Sequence, residues 1–157
     1  MSLRRGLPAF ALLAVACASP QTTDPPTIHY GQDLCAHCNM IVSEERFASA
    51  AIVQTPDGRY EPVIYDDIGC MVAAGNPAEG VVVARYVHDH DALGWIPAET
   101  ATYVRSDELR SPMLSGLAAW AGREGAEGGA RRFSGVVVEY AELPALSGPP
   151  ETGEPPL

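Results

Sequence analysis

Folding of this chain is confined to its middle, because the two segments that flank the middle lack the apolar residues that build a core. Residues 18–34 are rich in Pro, Thr, Gln and Asp with no apolar period, and residues 144–157 form a Pro/Gly/Glu tail. Segments of this composition bury too little apolar surface to offset the entropy of ordering. We therefore expect a flexible linker over 18–34 and a disordered tail over 144–157. About 110 residues, 35–143, remain for one small domain.

The first 17 residues are typical of an export signal. Two arginines precede a short apolar run, residues 7–16, which is too short to cross a bilayer as a helix. Cys17 follows, and residues 13–16 before it resemble a bacterial lipobox. We predict that residues 1–17 are a signal peptide and that Cys17 is lipidated. The protein would then be a membrane-anchored lipoprotein at the periplasmic face of the cell envelope; the alternative is an ordinary cleaved signal with Cys17 as a bystander.

The charge of the chain excludes several classes of partner. Eight basic residues against 20 acidic ones give the part after Cys17 a formal charge of −12, and the chain has no lysine. Nucleic acid and anionic lipid both require clustered positive charge. We therefore expect no nucleic-acid partner.

The first half predicts a β-β-α-β order. Residues 47–65 alternate around a Thr-Pro-Asp-Gly turn and predict a hairpin. Asp66 or Asp67 can cap a short helix that ends at Gly75. The β-branched run 80–89 then predicts a strand buried on both faces.

The second half predicts a similar order. Residues 95–107 supply one or two short strands broken at Pro97, and Ser111-Pro112 predicts the start of a helix that runs to Gly125. Residues 133–143 predict another buried strand. The fold class expected is α+β, with two related ββαβ half-domains sharing a compact core. The halves comprise about residues 35–91 and 92–143.

Three cysteines follow Cys17, namely Cys35, Cys38 and Cys70. An odd number rules out complete internal pairing, so at least one thiol is free, metallated or bonded elsewhere. One interpretation is a Cys35–Cys38 disulfide with Cys70 buried as a small hydrophobe. A redox dithiol is another, although it requires the first thiol at a helix N-terminus. Covalent haem attachment is excluded because Asn39 stands where a histidine is needed.

Metal binding is the remaining interpretation of these thiols. Structural zinc needs four ligands, which the three cysteines and a histidine could supply. Met40, however, lies two residues after Cys38 and would share a strand face with it, and Met113 is predicted near a helix start. Thioether sulfur suits Cu(I) rather than zinc. Core filling is the alternative role for each methionine, and the preferred one for Met71.

Other polar residues carry weaker hypotheses. His88 and His90 would share one face of a strand, a spacing that can chelate Cu(II) or zinc at a second site. Asp66 and Asp67 could be ligands, but carboxylates are hard and Cu(I) is soft, so helix capping is the better interpretation.

Five motifs, taken in order, resemble the NosL family. They are CAHCNM, YDDIGCM, WIPAETATYV, SPMLSGLAAW and SGVVVEYAEL, and together they span about Cys35 to Leu143. The resemblance implies two ββαβ halves and a membrane-anchored lipoprotein that delivers Cu(I) for maturation of nitrous oxide reductase, through an associated complex with an ABC transporter.

By matching motifs, the resemblance implies Cys35, Cys38, Met40 and Met113 as copper ligands. Asn39 departs from the family, which usually has Gly before the first of these methionines. Asn tolerates the same left-handed backbone, so we expect the loop to keep its course.

The sequence therefore predicts a Cu(I)-binding metallochaperone and not an enzyme, since it offers no nucleophile–base pair, phosphate loop or open zinc motif. The alternative is an envelope adaptor that is stabilised by structural zinc or a disulfide and acts by protein contacts alone.

Overall fold

The computed structural model describes residues 22–146. The predicted signal peptide with Cys17, the linker before Thr22 and the tail after Leu146 lie outside the described residues. Within the described part, no helix is long and apolar enough to span a bilayer.

The first sheet contains four antiparallel strands in the order β2-β1-β3-β4. Their bounds are Ser49–Gln54 (β1), Tyr60–Tyr65 (β2), Val81–His88 (β3) and Trp95–Pro97 (β4). The predicted hairpin is confirmed: β1 pairs with β2 across a turn in which Gly58 has a left-handed φ of 83°. Glycine reaches this conformation without steric cost.

Helix α1 spans Ile68–Ala74 and packs on β1 and β2. The Asp67 side chain accepts the N–H of Gly69 as an N-cap, and Gly75 ends the helix with φ 62°. Both predicted caps are confirmed. The same capping places Cys70 in the first turn of α1.

The second sheet has three antiparallel strands in the order β6-β5-β7. The remaining elements are β5 (Thr102–Arg105), β6 (Leu117–Trp120), α2 (Arg123–Arg132), β7 (Val136–Glu139) and α3 (Leu143–Leu146), with short 3-10 turns at Glu45–Phe47, Ala98–Thr100 and Tyr140–Glu142. Each sheet therefore follows a β-β-α-β order, with β4 added at the edge of the first. The α+β class is confirmed.

The helix predicted from Ser111-Pro112 is wrong. Residues 112–114 form a turn, 117–120 form strand β6, and the helix begins only at Arg123. Leu114 and Gly116 both adopt left-handed backbone, with φ of 57° and 66°. For a residue other than glycine this conformation costs about 1–2 kcal/mol, and two such residues stop a right-handed helix.

Strand β3 is not buried on both faces, contrary to prediction. Val81 and Val83 are 64% and 41% exposed. The sheet is antiparallel, and such sheets commonly cover one face only. A β-branched run alone does not distinguish a strand that is buried on both faces from one that is buried on a single face.

The predicted linker differs from the structure between Ile28 and Leu34. Ile28 is buried in the core and Tyr30 packs against it. The N–H of Gly31 donates to the carbonyl of Val42, and Leu34 bridges Ile41. Two apolar side chains in a polar run were enough to fix this segment.

One apolar core joins the two halves. It contains Val87 of the first sheet and Tyr103 and Leu117 of the second, all within 1% of full burial. The sheets also meet where the N–H of His90 donates to the carbonyl of Ala119. The two halves therefore share a core, as the sequence predicts.

Candidate metal centre

A tight loop carries the first two cysteines. The N–H of Cys35 donates to the carbonyl of Met40 at 2.8 Å, and the N–H of Asn39 donates to the carbonyl of Cys35 at 2.9 Å. Asn39 has φ 60°, the left-handed backbone expected for it. The predicted strand from Cys38 to Met40 does not form, because this left-handed residue turns the chain between them.

Three thiols converge at this loop. The sulfur atoms of Cys35, Cys38 and Cys70 all lie within 4.8 Å of one another, and all three thiols are free. Cys35 and Cys70 are buried, whereas Cys38 is half-buried. We call these three residues the thiol cluster.

Cys70 was not among the predicted copper ligands. The sequence offered it as a buried hydrophobe or as part of a zinc site, because it lies on a different element from the CxxC pair. Two signals point to it in retrospect. The odd cysteine count required an unpaired thiol, and the Asp67 cap fixes Cys70 in the turn of α1 that faces the loop.

The surroundings of Cys35 favour its thiolate. Burial by itself would raise the pKa of this thiol, but the N–H groups of Cys38, Asp66 and His37 donate to its sulfur and bring the net pKa below the ordinary value. Burial raises the pKa of Cys38, and the neighbouring Cys35 adds to the rise. Burial also raises the pKa of Cys70, as do the charges of Cys35 and Cys38. Cys35 is therefore the first thiol to ionise.

The two predicted methionine ligands are surface residues rather than part of the core. Met40 is 57% exposed and shares the loop with Cys35. Met113 is 41% exposed, and its N–H donates to Asp67, the cap of the helix that carries Cys70. Core filling does not explain either side chain, whereas Met71, at 2% exposure, is a core residue as expected.

Each of the two histidines has a partner within the fold. The Nδ1 atom of His88 lies 3.1 Å from the carbonyl oxygen of Ala48, and its ring packs on Trp95. His90 is also buried, with Nδ1 2.9 Å from a carboxylate oxygen of Asp91. Among residues 22–146, the thiol cluster is the single group of three or more potential cysteine, histidine or carboxylate ligands.

Asp66 and Asp67, one or the other of which is predicted to cap a helix, both accept hydrogen bonds within the fold. Asp66 accepts the N–H of Ser43 at 3.0 Å, and Asp67 caps α1. Neither carboxylate is part of the thiol cluster.

The donor set suits a metal that prefers sulfur ligands. A metal bound to three sulfurs in a plane, with bonds of about 2.3 Å, requires sulfurs about 4.0 Å apart. The observed limit of 4.8 Å is met by small side-chain movements. No histidine or carboxylate joins the cluster within the described chain, so a closed four-ligand zinc site lacks its fourth protein ligand from these groups.

Comparison with known proteins agrees with this architecture. The NosL family model matches residues 26–147. The crystal structure of the copper chaperone NosL from Shewanella denitrificans superposes with a TM-score of 0.62 at 15% identity, covering 77% of this chain and 96% of that one. At this identity the likeness shows the fold. Among curated proteins, none matches the chain.

Proposed function

The chain belongs to the NosL family, and from that premise we propose that it is a Cu(I)-binding metallochaperone of the cell envelope. As a member of this family it is not an enzyme. The observation that carries the proposal is the convergence of the free thiols of Cys35, Cys38 and Cys70. The similar protein from Shewanella denitrificans is described as a copper chaperone, which supports the same cargo here.

Copper is favoured over zinc by the kind and number of ligands. Thiolate sulfur binds both Cu(I) and zinc, whereas thioether sulfur suits the softer Cu(I), which accepts three ligands. Structural zinc takes four, most often with a closed tetrahedral shell. The zinc- or disulfide-stabilised adaptor is therefore the weaker candidate.

Release of the metal is supported by the uneven burial of the cluster. Cys35 and Cys70 are buried, but Cys38 is half-buried, and Met40 and Met113 reach solvent. A partner's sulfur or imidazole can approach from this side and replace Cys38 or a thioether while the buried thiolates still bind. Ligand exchange of this kind moves the metal without leaving it free.

The surface around the thiols supports docking of a protein partner. Eight large apolar side chains are exposed among the described residues, and five of them lie in the two segments that carry the candidate methionines. These five are Leu34, Met40, Ile41, Met113 and Leu114. We propose that the partners are nitrous oxide reductase and its associated ABC-transporter complex, as the family resemblance implies.

We also propose a lipid anchor at Cys17, which lies outside the described residues. Cys17→Ser should move the protein from the membrane to the soluble envelope fraction with its copper affinity unchanged. Unaltered membrane association of the variant would rule out this anchor.

An anaerobic metal competition tests the proposed function. The purified protein should take one equivalent of Cu(I) from a chromophoric Cu(I) chelator and release bound zinc when Cu(I) is added. The Cys35→Ser/Cys38→Ser variant should fail to compete. If zinc is retained against equimolar Cu(I), the adaptor interpretation replaces this one.

A further inference from the structure

A single buried carboxylate connects the helix of the thiol cluster with the turn that carries Met113. Asp67 has no exposed surface. Its Oδ1 accepts the N–H of Gly69 at 2.6 Å and the hydroxyl of Ser115 at 2.5 Å, while its Oδ2 accepts the N–H of Met113 at 3.1 Å. Its backbone carbonyl accepts the N–H of Cys70 at 3.0 Å. Asp67 thus binds the backbone of a cysteine from one half and the backbone of a methionine from the other.

The turn of residues 111–116 is hydrogen-bonded internally and packs closely against the start of α1. The Oγ atoms of Ser111 and Ser115 are 3.2 Å apart, and the N–H of Leu114 donates to the carbonyl of Ser111 at 2.9 Å. A Cβ atom placed on Gly69 would lie 2.5 Å from the Cβ of Ser115. Only glycine permits this approach of the turn to the helix.

The many hydrogen bonds of this backbone contrast with the exposure of the side chain it carries. Met113 is 41% exposed. The turn that carries it is nonetheless held by the buried carboxyl group of Asp67 and the hydroxyls of Ser111 and Ser115, and it contains Leu114 in the left-handed conformation. A buried carboxylate is costly unless its hydrogen bonds are satisfied. One oxygen of Asp67 accepts the N–H of Met113, so the fold specifies the position of the Met113 backbone.

We propose that Asp67 is a positioning residue that sets Met113 relative to the thiol cluster for copper binding, without being a copper ligand itself. The inference rests on the proposed function, because it assumes that Cu(I) is the cargo. A ligand that is already in place loses less conformational entropy when metal binds. The carboxylate therefore raises copper affinity through the methionine.

Asp67→Asn separates the two tasks of this side chain. Asn caps a helix about as well as Asp, and its oxygen can keep the bonds of Oδ1 to Gly69 and Ser115. Its NH₂ group then faces the N–H of Met113, donor against donor. We expect Cu(I) affinity to fall roughly ten- to a hundred-fold, as for other residues that orient ligands, and the Met113 amide to exchange faster with deuterium even without copper.

A matched control is available at the turn after β3. The Oδ1 of Asp89 accepts the N–H groups of Asp91 and Ala92, and its Oδ2 accepts the N–H of Ala121 at 2.8 Å. Asp89→Asn makes the same chemical change in a comparable bond pattern away from the cysteines. It should leave Cu(I) affinity unchanged. Asp67→Ser, which can cap but cannot reach Met113, serves if Asp67→Asn does not fold.

The decisive comparison is made in the Met113→Leu background. If Asp67 acts through Met113, Asp67→Asn should cause no further loss of Cu(I) affinity there. An equal loss in both backgrounds would overturn the inference, because the carboxylate would then act by charge or through α1. Parent-like Cu(I) affinity and Met113 exchange in Asp67→Asn would overturn it too. Failure of the parent itself to bind Cu(I) would instead sink the proposed function, and this inference with it.

Discussion

Cys35 and Cys38 differ in their surroundings although only two residues separate them. Three N–H groups donate to the sulfur of Cys35, whereas Cys38 lacks such a set and is closer to solvent. Under the proposed function, the loop offers one thiol whose ionisation is favoured and one that a partner's ligand can displace. A retained ligand and an exchangeable one are what a chaperone requires.

The pKa values of these thiols can be measured by their ultraviolet thiolate absorbance under anaerobic conditions. Because hydrogen bonds lower the pKa of Cys35 and burial raises those of Cys38 and Cys70, we expect one ionisation below the ordinary cysteine value and two above it. Cys35→Ser should remove the early step. Three ionisations at the ordinary value would show that the N–H groups do not stabilise this thiolate.

At the scale of elements, local signals predict the hairpin and the helix of the first half but misplace the helix of the second. The turn of the hairpin and the caps of α1 at Asp67 and Gly75 act over a few residues, so the sequence alone reveals them. Ser111-Pro112 offered an equally good helix start. It was overridden by contacts with Asp67, far away in the chain, and by the close approach of Gly116 to the Ser106 carbonyl.

Local signals likewise identify only part of the metal site. The spacing of Cys35 and Cys38 identified the loop, since both residues lie within one turn. Cys70 belongs to another element, and its approach to the loop depends on how α1 packs. Met113 was singled out by resemblance, but its turn was mistaken for a helix because its partner Asp67 is not local.

The segment before the thiol loop contributes to stability. Ile28 is 9% exposed and belongs to the main core, so Ile28→Ala should lower the free energy of unfolding by about 2–5 kcal/mol. Urea unfolding of the apo protein measures this. Val81→Ala, at a position 64% exposed, is the control and should change stability by less than about 0.5 kcal/mol. Equal, small effects of both changes would mean that residues 28–34 are a linker after all.

At the scale of the whole molecule, two buried histidines make stability depend on pH. Burial lowers the pKa of His88 and of His90 below the ordinary value, although hydrogen bonds to the Ala48 carbonyl and to Asp91 oppose the shift. The unfolded chain therefore takes up protons first as pH falls. The stability that the two neutral histidines contribute is complete above about pH 6.5, and it is lost as the pH drops towards their pKa values in the folded protein.

We accordingly expect the urea concentration at the unfolding midpoint to decrease as the pH is lowered from 7.5 to 5.5. Within this window the carboxylates of unfolded Asp and Glu stay ionised, so the unfolded chain takes up protons mainly on its histidines. His88→Gln should make the decrease shallower. A midpoint that is constant or rises over this range would contradict neutral burial of the two rings.

Binding of one Cu(I) by three thiols from two elements is tested most directly by the Cu(I) affinity of Cys70→Ser. Cys70 lies on α1 and the other thiols lie on the loop, so the variant should bind Cu(I) at least about ten-fold more weakly in anaerobic chelator competition. Met71→Leu is the control on the same helix and should bind like the parent, because Leu replaces a core methionine at little cost. Cu(I) affinity of Cys70→Ser equal to that of the parent would contradict the three-thiol site.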